Sequence, residues 1–358
     1  MIASRIAPLD ALRGLTALVV VLHHYYYFLA QHDAPPFEAA LGWAYSFGML
    51  AVPMFFMLSG YIFFQVYSRS LGEGRLSGRD FFWLRASRLY PLHVLTLLTV
   101  VGLQAACWRL TGKAFGFSNN DLPHFLLNVL FLQFSWVDDK FSFNGPAWSL
   151  SVEAGLYVAF FVFARTFGEA KAPRLAIGAL CVGLAITRSL LPDTGPLNWH
   201  FARGLGFFFA GGCLQLTYAW PDRLRLAVGV VMIEAGLGLM YGAAGQLDSM
   251  ICLNMLFGGL VLASLGSRTF ARVAASFPFS WLGSISYSIY LWHYPVQIVM
   301  VLVSATMVPI GLETPVGLAI YLAATLSVST LSYHGFEVPA RAVVRRWAEG
   351  RALAPAVA

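Results

Sequence analysis

Apolar residues fall into long blocks, and short joints between the blocks carry most of the Arg, Gly, Pro and Asp residues. A helix needs about 20 apolar residues to cross a bilayer core. Ten blocks approach that length, at roughly 9–30, 44–66, 87–108, 147–167, 174–191, 199–218, 226–244, 249–266, 283–304 and 315–335. The pattern predicts an all-α, polytopic helical membrane bundle of about ten transmembrane helices. Residues 122–134 are apolar but too few to cross, a length that suits a re-entrant or interfacial helix. No internal repeat or low-complexity tract interrupts the series, and no soluble domain is expected at either end. The expected organisation is one transmembrane domain over 1–340 and a short basic cytoplasmic tail over 341–358.

Composition agrees. The 358 residues are 58% hydrophobic and 11% charged, against about 25% charged in a soluble domain. The net charge of +6 is of the kind that binds nucleic acid, but its placement argues for topology instead. With the N-terminus in the cytoplasm, only Arg109, Lys113, Lys140, Arg188 and Arg203 of the 23 Lys and Arg fall outside. Positive residues favour the inner face, so both termini are expected in the cytoplasm and no nucleic acid partner is expected. Cys107, Cys181, Cys213 and Cys252 are scattered without a CxxC pair and read as reduced packing residues. Asp10 and Arg13 interrupt the first block, which argues against a cleaved signal. The longest outside segment, 109–146, holds Phe115, Phe117, Phe134, Trp136 and Phe141 among its aromatics. These rings suit either stacking on sugars or an interfacial belt.

Few residues in the blocks carry chemistry. Arg13 and His24 are eleven residues apart in the first block. Eleven residues make three turns plus roughly 20°, so both side chains share one helix face about 16 Å apart, with His23 rotated off that line. A cation and a titratable ring inside a span are costly and mark a functional site by default. A neutral His24 could accept a hydroxyl proton as the oxygen attacks an acyl carbonyl; the bland alternative is a bundle histidine with Arg13 as a snorkelling anchor. Arg85 and Arg88, one turn apart at the start of the third span, suit either phosphate recognition or inner-face anchoring. Glu153 lies about 9 Å into the fourth span from outside, where it could orient an imidazole, hold an acceptor hydroxyl or pair with an Arg. His293 precedes Pro295 and is either a site residue or the partner of the carbonyl that Pro295 frees. His334 and Glu337 read as a structural pair, Arg188 and Arg203 as snorkelling cations, and Glu234 has no reading. Ser149 and Ser151 are nucleophile types with no base evidently beside them. The eight His show no metal-ligand spacing, so no metal is expected.

In chain order, Leu9-Asp10-Ala11-Leu12-Arg13-Gly14 with His24, Phe55-Phe56-Met57-Leu58-Ser59-Gly60-Tyr61, Arg85-Ala86-Ser87-Arg88-Leu89-Tyr90-Pro91, Trp148-Ser149-Leu150-Ser151-Val152-Glu153, Ser286-Tyr287-Ser288-Ile289-Tyr290-Leu291-Trp292-His293-Tyr294-Pro295 and Phe336-Glu337-Val338-Pro339 form an ordered set. That set resembles membrane acyltransferase family 3, the bacterial O-acyltransferases that modify cell-surface sugars. The resemblance implies ten spans, an acyl-CoA donor (acetyl-CoA foremost), a carbohydrate or glycolipid hydroxyl as acceptor, and the bacterial inner membrane as location. It points to His24 as general base with Arg13 beside it. Arg85 and Arg88 would then grip the CoA phosphates, Glu153 would support His24 or the acceptor, and Trp148 and His293 would form walls. Some members carry an extra span and a secreted hydrolase-like domain, neither of which is expected here. The rival expectation is a transporter or flippase for a sugar or lipid-linked anion, which uses buried charges as a relay.

Overall fold

A computed structural model describes residues 6–26, 36–186, 191–242 and 250–352, with side chains to 348. Among them all regular structure is helical. In order the helices are α1 (Ala7–Tyr25), α2 (Glu38–Phe47), α3 (Ala51–Val66), α4 (Ser68–Gly72), α5 (Gly78–Thr111), α6 (Leu122–Val129), α7 (Trp148–Phe167), α8 (Lys171–Ile186), α9 (Trp199–Leu214), α10 (Asp222–Gly242), α11 (Met250–Gly266), α12 (Arg268–Ala275), α13 (Phe279–Thr306), α14 (Pro315–Ser332) and α15 (Val338–Ala352). Every predicted span falls on one of them except the second, which is divided between α2 and α3. Six segments among the described residues are long and apolar enough to cross a membrane, or up to seven with α11 and α12, bent by 84°, counted as one. The other predicted spans fall on α1, α8 and α9, of 19, 16 and 16 residues. The chain is an all-α, multi-pass membrane protein. Arg188 and the predicted span ends at 27–30, 187–190, 243–244 and 249 lie outside the described residues.

Local chemistry sets the helix ends. Ser77, Asp121, Asn198, Ser267 and Thr314 each accept a bond from a backbone N–H two or three residues into the helix that follows, which satisfies donors that a helix start leaves orphaned. The second predicted span is broken: a 3₁₀ turn at Gly48–Leu50 joins α2 to α3. The third is longer than predicted, since α5 runs for 34 residues. Residues 122–134 form α6 over only the first two turns, with Leu122, Leu126 and Leu130 exposed.

Hydrocarbon gives helices no hydrophobic reason to associate, so small residues decide who packs on whom. α1 crosses α13 at Gly14 and Gly283. A Cβ on Gly14 would lie 2.8 Å from the Gly283 nitrogen, and one on Gly283 2.5 Å from the Asp10 carbonyl oxygen. α3 crosses α9 in the same way, where a Cβ on Gly60 would lie 1.9 Å from the Phe208 carbonyl oxygen. In the most apolar 18-residue stretch of the α2–α3 segment 67% is buried, against 11% in that of α10. The α1–α13 crossing places the last turns of α1 against the middle of α13, where the candidate chemistry gathers.

Candidate active site

Arg13 and His24 stand on one unbroken helix, α1. Nδ1 of His24 lies 2.9 Å from the Val20 carbonyl oxygen. A carbonyl only accepts, so Nδ1 carries the hydrogen and Nε2 keeps its lone pair. The His24 ring sits 4.8 Å, centroid to centroid, from that of His293 on α13. His23 faces elsewhere, as its rotation predicts: its Nδ1 is 3.1 and 3.0 Å from the carbonyl oxygens of Ala44 and Tyr45 and ties α1 to α2.

Two cavities flank this point. A small one of about 50 Å³ is lined by Arg13, Phe55, Ser59, Ser149, Glu153, Tyr287 and Tyr290, among others. A larger one of about 730 Å³ is lined by His24, Phe115, Phe117, Phe141, Pro146, Trp148, Tyr294 and Gln297, among others. Their walls meet at one hydrogen-bonded layer. Tyr290 donates its hydroxyl to the Pro146 carbonyl at 2.5 Å and accepts from the Ser149 hydroxyl at 2.8 Å. The segment over 114–143 that lines the larger cavity is fastened by side-chain amides. Gln104 bonds Phe115 through both ends of its side chain, and Asn120 accepts from the Phe143 N–H. Its aromatics therefore line a cavity beside His24, with Phe134 stacked on Phe141 at 4.2 Å and edge-on to Trp148 at 5.4 Å.

The remaining candidates divide between the two cavities. Glu153 joins Arg13 in the small one, not His24 in the large one, and accepts from the Tyr157 hydroxyl at 2.5 Å. Trp148 joins His24. Arg85 and Arg88 sit in different surroundings. The Arg85 guanidinium is buried, lies 5.0 and 4.7 Å from the Phe63 and Tyr67 ring centroids, and donates to the Tyr67 hydroxyl. Arg88 lies within electrostatic range of Glu337 and Glu153, and Arg13 within range of Arg88. Ser151 is spent on the Trp148 carbonyl. Arg203 lies over the Trp199 ring at 5.0 Å. Glu234 is exposed on α10.

Two readings of the sequence are corrected. Pro295 frees the carbonyl of Leu291, four residues back, and Asn144 rather than His293 takes it, with Nδ2 at 3.1 Å. His293 bonds instead to its own Ile289 carbonyl at 3.3 Å. Glu337 does not pair with His334, which is exposed. A π-helical turn at Tyr333–Glu337 rotates Glu337 inward, where it accepts from the Ser288 hydroxyl at 2.6 Å and pairs with Arg341. π-turns of this kind insert one residue into a helix and re-aim its side chains. Asn144, Tyr157 and Gln297 escaped the sequence reading. Asn144 alone left a signal, as a polar residue two positions ahead of Pro146 in a segment leading into a span.

The chain is thus a helical membrane bundle that carries Arg13 and His24 on one helix, each in the wall of its own cavity. The family model described as "Acyltransferase domain" matches residues 6–334, and the chain belongs to acyltransferase family 3. Peptidoglycan O-acetyltransferase OatA of Listeria monocytogenes is 25% identical, over 82% of this chain and 51% of its own length. YrhL of Bacillus subtilis, provisionally assigned the same activity, is 27% identical over 82% of this chain and 50% of its own. BcsY of Komagataeibacter xylinus, provisionally a membrane-bound transacylase, is 27% identical over 69% of this chain and 66% of its own. The chain thus spans about half the length of the first two relatives. No solved structure matches it.

Proposed function

We propose that this chain transfers an acyl group, foremost acetyl, from acyl-CoA at the cytoplasmic face of the bacterial inner membrane to a hydroxyl of an envelope carbohydrate or glycolipid. The observation that carries the reading is His24 with Nε2 as its basic nitrogen, in the wall of a cavity large enough for a sugar, on the same helix as Arg13 in the neighbouring small cavity. The acceptor hydroxyl gives its proton to His24 Nε2 while its oxygen attacks the thioester carbonyl. The carbon–sulfur bond then breaks, and the leaving thiolate takes that proton back. Arg13 charge-balances the small cavity, with Glu153 facing it. The charge bias of the loops supports donor entry from the cytoplasm.

The test uses purified protein in sealed vesicles, with labelled acetyl-CoA on one face only and an envelope glycan extract on the other. Covalent label on the glycan, obtained when the donor bathes the cytoplasmic face, is the expected result. Unmodified sugar crossing without label would replace the reading with a transporter. Transfer with the donor on the opposite face alone would reverse the orientation.

Arg88 is proposed to bind a CoA phosphate. A charge-assisted hydrogen bond is worth about 1.5–3 kcal/mol, so Arg88→Ala should raise the apparent KM for acetyl-CoA roughly 10- to 100-fold, with Arg88→Lys rescuing only in part. Arg85→Ala should raise it too if Arg85 shares the donor grip. It should also lower the unfolding temperature, because the guanidinium is stacked among Phe63 and Tyr67. An unchanged donor KM in Arg88→Ala removes the phosphate role.

A further inference from the structure

Gln297 lines the larger cavity and is fully buried on α13, one turn past His293. Its Nε2 donates to the backbone carbonyl of His24 at 3.0 Å. Only the amide nitrogen can serve a carbonyl, so the orientation of the side chain is settled and Oε1 is the free end. Oε1 has no partner among the described residues. Neither has Nε2 of His293, which keeps its lone pair because Nδ1 gives its hydrogen to the Ile289 carbonyl. Buried polar atoms are normally paired, and an unpaired one costs about 1–3 kcal/mol. Of these two atoms only Gln297 Oε1 belongs to a residue of the cavity wall, since His293 lines neither cavity, and Oε1 calls for a ligand that pairs it.

Oε1 is an acceptor, which defines the chemistry of that ligand. It must present O–H or N–H donors, and carboxylates or phosphates would leave the lone pairs unpaired. The rest of the wall supplies aromatic rings from Phe117, Phe141 and Trp148, flat apolar surfaces of the kind that cover a sugar face. We propose that Gln297 is a specificity-determining residue of the acceptor site, its Oε1 receiving a sugar hydroxyl adjacent to the one that His24 deprotonates. This rests on the transferase reading for its acceptor class but concerns a residue outside the base and donor machinery.

Two substitutions separate this role from the bond that Gln297 makes to α1. Gln297→Met keeps the volume and loses both bonds. Gln297→Glu loses the donor to the His24 carbonyl and keeps the acceptor. Binding of radiolabelled cellobiose and chitobiose to the full chain in nanodiscs is measured for each protein, normalised to its folded fraction. Wild type should bind at least one of the two saturably. Gln297→Met should weaken that binding about 3- to 10-fold, the worth of one neutral hydrogen bond, while Gln297→Glu stays near or above wild type and the acetyl-CoA KM is unchanged in both. Equal losses in both variants would reduce Gln297 to a brace for α1, and wild-type affinity in Gln297→Met, or no saturable binding by wild type, would overturn the proposal. Binding without acetyl transfer by wild type would sink the transferase reading and leave the role of Gln297 standing.

Discussion

His24→Ala should lower acyl transfer about 10²- to 10⁴-fold per folded molecule, the usual contribution of a positioned general base. The protein should still reach the membrane in wild-type amounts, because the ring's bond to the Val20 carbonyl stays within α1. His23→Ala is the informative control. Its ring serves the carbonyls of Ala44 and Tyr45 across to α2, so its loss should cost about 1–3 kcal/mol of stability and leave activity per folded molecule close to wild type. Transfer of labelled acetyl, divided by the folded protein in each preparation, separates the two. Full activity in His24→Ala, or equal losses in both variants, would remove the base from this position.

Glu337→Ala should be the most destabilising of the substitutions considered. Glu337 is 3% exposed, is bonded by the Ser288 hydroxyl and paired with Arg341, and lies within electrostatic range of Arg88. Removing one member of a buried pair leaves the other charge uncompensated, which costs about 3–5 kcal/mol. Here the Arg341 guanidinium loses its paired carboxylate. Glu337→Gln keeps an acceptor for Ser288 and should lose less. Glu337→Ala combined with Arg341→Met should recover part of the loss, since the stranded charge goes too. Unfolding of the purified protein in detergent measures all three. A Glu337→Ala protein within about 0.5 kcal/mol of wild type, the ordinary range for a surface change, would show that the cluster is solvated and not buried.

These two residues also mark where the sequence can be read and where it cannot. Arg13 and His24 lie on one helix, so the 3.6-residue period fixes their common face without knowledge of any neighbour. Glu337 looked equally local, one turn from His334, yet the period failed there because a π-helical turn falls between Ser332 and Val338 and re-aims the side chain. Glu153 was placed by depth along its helix, and depth was no guide to which cavity it would face.

Taken alone, the sequence determined the membrane class, the places of the helices, the shared face of Arg13 and His24 and the family, because each depends on apolar run length or on residues close together in the chain. The structure alone decided the partners between helices. Asn144 reaches the carbonyl freed by Pro295 across 147 residues, and Gln297 reaches His24 across 273. Lipid sorts helices by hydropathy but does not choose their neighbours. That choice falls to close crossings such as Gly14 on Gly283, which bring His24 to His293 and Gln297 and leave Arg13 and Glu153 in the cavity next door.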